Sequence, residues 1–277
     1  MKRCDDTVMP WDYGSDIDYD KIDKKKVRDN ELLQTMLVIA SFIEITSDTY
    51  AKNLTQFYSD NQEAVHWLTC QWDPEEVQHG EALRRYIETV WPEFEWEKTY
   101  KRFLQLYLPL CTLDEFQPTK GREMLARMIV ETGTSTLYRS LHDYALSLDE
   151  PVLADLAHRI YKDEVRHYGY FDRYFEYYNQ TEKLGRKEIL KVINNRLKEA
   201  SSEDIELAFQ AWYETTHGGC FDPKAYDQFV AAVRELAGKY YPYKMAIKMM
   251  LHPLHLHKAV ETPLVPVVRG ALKILGI

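Results

Sequence analysis

Glu76-Val77-Gln78-His79 and Glu164-Val165-Arg166-His167 are the two stretches on which the reading of this chain turns. Each is a Glu-x-x-His. Each is preceded by a lone glutamate at nearly the same distance, Glu44 by 32 positions and Glu131 by 33. On an α-helix, residues i and i+3 share a face about one turn apart, so the Glu and His of each pair can reach one metal ion. A glutamate from each preceding helix completes the set. The sum is four carboxylates and two imidazoles on four helices, and two divalent cations would cancel the four negative charges. Four ionised carboxylates in a helical interior would otherwise be costly or would take up protons. One Glu-x-x-His is common and says little; two copies at matched spacing point to a dinuclear centre at Glu44, Glu76, His79, Glu131, Glu164 and His167. The competing reading is surface salt bridges. It fits poorly, because Glu44 follows Leu37 and Ala40 on an apolar face, and Glu131 follows Met124 and Met128. One His per ion and no Cys favour iron, with manganese as the alternative, over zinc or copper.

The surrounding chain reads as helices. Leu33, Leu37, Ala40, Glu44, Ser47 and Ala51 fall three or four apart and predict one helix from about Asn30 to Tyr58. A second stretch runs from Asn61 to Val90 and is interrupted at Asp73-Pro74, where proline either kinks one helix or opens another capped by Asp73. A helix over Trp96–Leu108 and a long connection to Gly121 follow. Helices over Arg122–Leu148 and Pro151–Asn179 meet at Asp149-Glu150-Pro151, a tight turn that implies antiparallel neighbours. Shorter helices are expected over Arg186–Glu199, Glu203–Thr216 and Pro223–Ala237. Nothing alternates with period two, so the fold class is all-α. The expected organisation is an irregular N-terminal arm over 1–29, a helical metal domain over 30–238 and a basic, proline-containing tail over 239–277.

Composition narrows the function classes. At 277 residues with 45% hydrophobic and 29% charged residues, the chain has material for a large core. A net charge of −9 makes nucleic acid a poor partner. The tail from Lys239 is the exception, with six basic residues (Lys239, Lys244, Lys248, Lys258, Arg269, Lys273) against Glu261. It could meet an acidic partner or a membrane surface, or pack back on the body. The scattered Cys4, Cys70, Cys111 and Cys220 read as four reduced thiols. An N-terminus that turns acidic where a signal peptide would be apolar, and no run approaching the roughly 18 apolar residues of a spanning helix, predict a soluble cytoplasmic protein. His252, His255 and His257 read as surface or packed histidines rather than a second metal site. Tyr168, Phe171, Tyr174, Phe175 and Tyr178 read as core or subunit interface. No glycine-rich phosphate loop is present, so electrons for the metal would come from another protein.

The motifs carry a family resemblance. Trp72-Asp73-Pro74-Glu75-Glu76-Val77-Gln78-His79-Gly80 resembles the Trp-Thr-Ala-Glu-Glu-x-x-His-Gly segment of the soluble acyl-carrier-protein desaturases. Those enzymes belong to the ferritin-like di-iron carboxylate superfamily. Asp163-Glu164-Val165-Arg166-His167 resembles their Asp-Glu-x-Arg-His, Glu131-Thr132-Gly133-Thr134 their Glu-x-x-Thr, and Glu44 with Thr49-Tyr50 their first metal helix. The likeness covers roughly residues 30–180. Pro74 stands where the family has Ala, and the link from Glu44 to Glu76 is shorter than in the plant enzymes. The resemblance implies a ferritin-like four-helix bundle with additional C-terminal helices and two iron ions on the six residues above, with O2 as co-substrate. It also implies a hydroxyl of Thr134 near the oxygen-binding face, Asp163 orienting an imidazole such as that of His79, and Trp72 on the electron path. Its implied activity is desaturation of an acyl thioester on an acyl carrier protein, with a ferredoxin-like donor and a homodimeric assembly. Hydroxylation, N-oxygenation or carbon–carbon cleavage would use the same ligands, and iron storage is the non-enzyme alternative.

Overall fold

The computed structural model describes residues 4, 8–111, 116–199, 203–260 and 263–266, and among them there is no strand. Twelve helices can be followed in order: α1 (Lys24–Val27), α2 (Glu31–Ile45), α3 (Ser47–Phe57), α4 (Gln62–Trp67), α5 (Asp73–Val90), α6 (Trp96–Tyr107), α7 (Lys120–Ser147), α8 (Pro151–Glu182), α9 (Arg186–Glu199), α10 (Glu203–His217), α11 (Pro223–Tyr240) and α12 (Tyr243–Leu251). The chain is all-helical, as its periodicity predicts.

Two pairings position the site: α7 lies along α8, and α2 lies along α5. The first is set by the turn between them. Asp149 takes a left-handed conformation, φ 55°. Glu150 then caps α8, its carboxylate accepting from the backbone N–H of Val152 and Leu153, while Pro151 occupies the first turn, where no N–H is needed. The chain therefore folds straight back. At 1.5 Å per residue, Glu131 stands about 24 Å before the end of α7 and Glu164 about 20 Å beyond the start of α8, which brings them to one level. The second pairing depends on Gly80. A Cβ there would sit 2.9 Å from the Ser41 carbonyl oxygen and collide with the Ile45 side chain, so only glycine lets α2 and α5 approach this closely.

The polar site is a layer between two apolar cores. Along α7, Met124, Leu125 and Met128 belong to one core, Glu131 follows, and Tyr138, Leu141 and Ala145 belong to the other. Along α8 the order is reversed: Leu153, Leu156 and Ile160, then Glu164 and His167, then Phe171 and Phe175. Burying such side chains stabilises the fold by about 1.5–3 kcal/mol each, and that apolar contribution is what tolerates a charged layer in the middle.

Several expectations need correction. The helix expected over Asn30–Tyr58 is two helices. The break falls at Thr46, where ψ is near 0° and the hydroxyl bonds to the Phe42 carbonyl. Asp73 does not cap α5. A π-helical turn, Leu68–Trp72, runs directly into that helix, and Asp73 instead accepts from the Ser47 hydroxyl. The N-terminal segment has little regular structure, yet it is no free arm, since Trp11, Ile17, Tyr19, Ile22 and Val27 are buried in the core. Cys4 and Cys70 form a disulfide, contrary to the expectation of four reduced thiols; Cys111 and Cys220 take no part in one.

The described part of the tail packs back on the body. Tyr168 donates to the Met249 carbonyl, Thr136 to the Tyr241 hydroxyl, and Arg186 to the Leu254 carbonyl. Of the tail's charged residues, Glu261, Arg269 and Lys273 lie outside the described residues. His252 and His255 are exposed and pair with Asp172 and Glu176 of α8. Tyr168, Phe171, Tyr174 and Phe175 are core. Among the described residues no helix is long and apolar enough to cross a membrane.

Glu150 is fully buried and also accepts the Tyr86 hydroxyl at 2.7 Å. Glu150→Ala removes the cap of α8 and leaves that phenol unpaired. Urea unfolding should show a loss of roughly 2–4 kcal/mol; a loss no larger than that of an ordinary surface substitution would refute this role.

Candidate metal centre

All six residues singled out by spacing converge and are buried, with Glu76, at 6%, the most exposed. Their inward atoms form two overlapping sets, Glu44, Glu76, His79 and Glu164, and Glu76, Glu131, Glu164 and His167; within each set the atoms lie within 4.8 Å of one another. Glu76 and Glu164 belong to both sets and lie between them, while Glu44 with His79 and Glu131 with His167 stand at the two ends of the layer. His79 Nδ1 is 3.1 Å from Glu164 Oε1 and 3.7 Å from Glu44 Oε2. His167 Nδ1 is 2.9 Å from Glu76 Oε1 and 3.8 Å from Glu131 Oε2.

Four of these atoms decide whether the site suits a cation. Glu76 Oε1, His79 Nδ1, Glu164 Oε1 and His167 Nδ1 are completely buried and make no geometrically sound hydrogen bond, close as they are. Buried polar atoms are almost always satisfied, and an unpartnered group costs roughly 1–3 kcal/mol. Four such atoms turned toward one another are what a pair of hard cations would satisfy.

The outer edge of each imidazole is anchored. His79 Nε2 meets Asp163 Oδ2 at 3.1 Å, and His167 Nε2 meets Glu75 Oε2 at 2.6 Å. Arg166 joins the two anchors, donating to Asp163 Oδ1 at 2.7 Å and to Glu75 Oε2 at 2.6 Å. Trp11 Nε1 donates to Asp163 Oδ2 at 2.7 Å, its ring nearly parallel to that of His79. Burial would raise Asp163, but the bond from His79, its charge, and then Trp11 and Arg166 hold it at about 2. An ionised Asp163 accepts the Nε2 proton and leaves Nδ1 facing the site, the tautomer a metal ligand needs.

The remaining carboxylate oxygens are also held. The Tyr138 hydroxyl donates to Glu44 Oε1, Trp72 Nε1 to Glu131 Oε1 at 3.2 Å, and the Thr134 hydroxyl to Glu164 Oε2 at 2.5 Å. The Thr134 hydroxyl thus lies against the Glu164 carboxylate, and Asp163 lies behind His79. Trp72 touches a carboxylate rather than an imidazole.

Trp11, Glu75, Tyr138 and Arg166 were not among the expected site residues. Glu75 carried a signal: an acid precedes the glutamate of both Glu-x-x-His pairs, Glu75 before Glu76 and Asp163 before Glu164, and each anchors the other copy's histidine. Comparison with protein-family models and with curated proteins finds no match. The functional reading therefore rests on this geometry and on the motifs.

Among the protein's own charges the layer is strained. Burial first, then Glu164 and Glu44, pushes Glu76 well above the ordinary 4.5, and burial with Glu164 does the same to Glu131. Burial opposes charge on His79, but its bond to Asp163 and the nearby carboxylates of Glu164 and Glu44 outweigh burial and raise it well above 6.5. Acids and a histidine whose folded values are raised support the fold while protonated and withdraw that support as pH climbs past their ordinary values. A bound cation reverses the sign by replacing those protons. The thermal midpoint gained on adding Mn(II) should therefore widen from mildly acidic to mildly alkaline buffer, with proton release on binding seen by calorimetry in buffers of different ionisation enthalpy. A gain independent of pH would contradict this assignment.

Proposed function

We propose that the chain is an O2-activating, dinuclear iron oxidoreductase of the ferritin-like superfamily that desaturates an acyl thioester. The observation that carries this is the set of four buried, mutually facing and unpartnered ligand atoms within a frame of four carboxylates and two imidazoles. The desaturase-like motifs give the reaction class. The balance is an acyl –CH2–CH2– unit, O2, two electrons and two protons, yielding –CH=CH– and two waters. Glu44, Glu76, His79, Glu131, Glu164 and His167 would hold the two ions. Bound iron would supply the reduction of O2 and the oxidising power to remove two hydrogens.

The protein's share follows from its own side chains. Asp163, Glu75 and Arg166 fix both imidazoles, so the ligands need not reorganise during turnover. Thr134 places a hydroxyl against the Glu164 carboxylate, where it can hand over or receive a proton. The flanking apolar cores keep bulk water from the layer. Electrons from a ferredoxin-like donor have a bonded route in Trp11–Asp163–His79, and this makes Trp11 a better candidate for that role than Trp72. A groove lined by Tyr241, Tyr243, Lys244, Met245, Lys248 and Met249 supports docking of an acidic acyl carrier. Met249 reaches Ser135, the neighbour of Thr134 on α7.

Protein loaded with Fe(II), supplied with a reductant and acyl-carrier thioesters, should yield acyl chains lighter by two hydrogens on mass spectrometry. Glu44→Ala and Glu131→Ala should abolish this and bind less iron than the parent. Chains that gain an oxygen atom would instead identify an oxygenase, and unchanged chains would remove the acyl reading. Trp11→Phe should keep its iron content but slow its reduction by an external ferredoxin at least about tenfold, as expected when a bonded anchor is removed; an unchanged reduction rate would exclude that route.

A further inference from the structure

The two ends of the metal layer are near copies of one another. Glu44 Oε2 faces His79 Nδ1 at 3.7 Å, and Glu131 Oε2 faces His167 Nδ1 at 3.8 Å. In each terminal glutamate the other oxygen, Oε1, is taken by one neutral donor. Those donors are where the copies differ: a phenol at Glu44 and an indole at Glu131.

We propose that Tyr138 is a positioning residue that restricts Glu44 to a single metal contact and so makes the Glu44–His79 end the weaker of the two, filled second. The proposal rests on the dinuclear reading above and adds an order of loading to it.

The argument is chemical. A carboxylate can offer a cation one oxygen or both. An O–H donor on an ionised carboxylate makes a charge-assisted bond, about twice as strong as a neutral one, and draws charge from the oxygen it holds. The indole N–H of Trp72 approaches Glu131 at 3.2 Å, the long limit for such a bond, and competes less well for that oxygen. Glu131 can therefore turn its second oxygen to an ion at small cost, and Glu44 cannot. Backbone geometry points the same way. Glu131 sits in the middle of the 28-residue α7, whereas Glu44 is the penultimate residue of α2, against the break at Thr46. Tyr138 is completely buried, as is His79 beside Glu44, so water has no ready access to replace the phenol when it leaves.

Tyr138→Phe removes the hydroxyl and keeps the ring, which separates positioning from core filling. Chelator-treated protein would be titrated with Co(II), followed by calorimetry and by visible absorption, which weakens as oxygen ligands are added. The parent should bind two ions in unequal steps. In Tyr138→Phe the weaker step should tighten about tenfold, the equivalent of one charge-assisted bond, and its absorption should fall as Glu44 adds an oxygen. A Glu131→Ala background assigns the end: Tyr138→Phe should there tighten the step that the Glu44–His79 set still provides. Equal steps in the parent, or a second step unmoved or weakened by Tyr138→Phe in both backgrounds, would overturn the proposal while leaving the dinuclear reading intact. A parent that takes up fewer than two ions would overturn both.

Discussion

Negative charge out of reach of water is the constraint around which this molecule is arranged. Glu44, Glu76, Glu131 and Glu164 occupy one layer with almost no exposure, and Asp163 and Glu75 stand immediately behind it. No apolar packing makes that arrangement favourable in itself. It persists because regular helices hold each carboxylate at a set height and because apolar cores on either side contribute enough to offset it. Two divalent cations would turn the liability into the strongest interaction in the protein, since attraction at such short range is little screened in a water-poor interior.

The anchors behind the layer are shared, and this has a mechanical meaning. Arg166 holds Asp163 and Glu75 at once, and these hold His79 and His167. A displacement of one imidazole is therefore felt by the other through a single guanidinium. Its planar fork suits two carboxylates at fixed separation in a way a lysine ammonium would not. Each half of the repeat supplies the acid that steadies the other half's histidine, so neither half-site is complete on its own.

The parts legible in the sequence are those that obey helical periodicity. The six converging residues, the all-helical fold and the antiparallel turn at Asp149-Glu150-Pro151 follow from spacing and turn chemistry alone. Thr46 shows where periodicity stops: its neighbours keep the right face, while the backbone turns at this one residue and no spacing marks it. Tyr138 lies two turns beyond Glu131 and so on the same face of α7, but its partner is on another helix and no spacing rule links it to Glu44. The bond between Cys4 and Cys70 is likewise a matter of where two distant segments meet. Trp11 is the extreme case, an aromatic in an aperiodic stretch whose acceptor lies 152 positions away.

That separation has a consequence for how the protein is made. Trp11 leaves the ribosome well ahead of Asp163, which lies 152 positions later, and at ordinary elongation rates this means a delay of about 8–30 s. Tyr19 can already meet the Ala82 carbonyl of α5, but Trp11 has no acceptor until α8 has emerged. Trp11 can therefore close over Asp163 only when most of the bundle has been made, and capture of a metal ion in a growing polypeptide would be a late event.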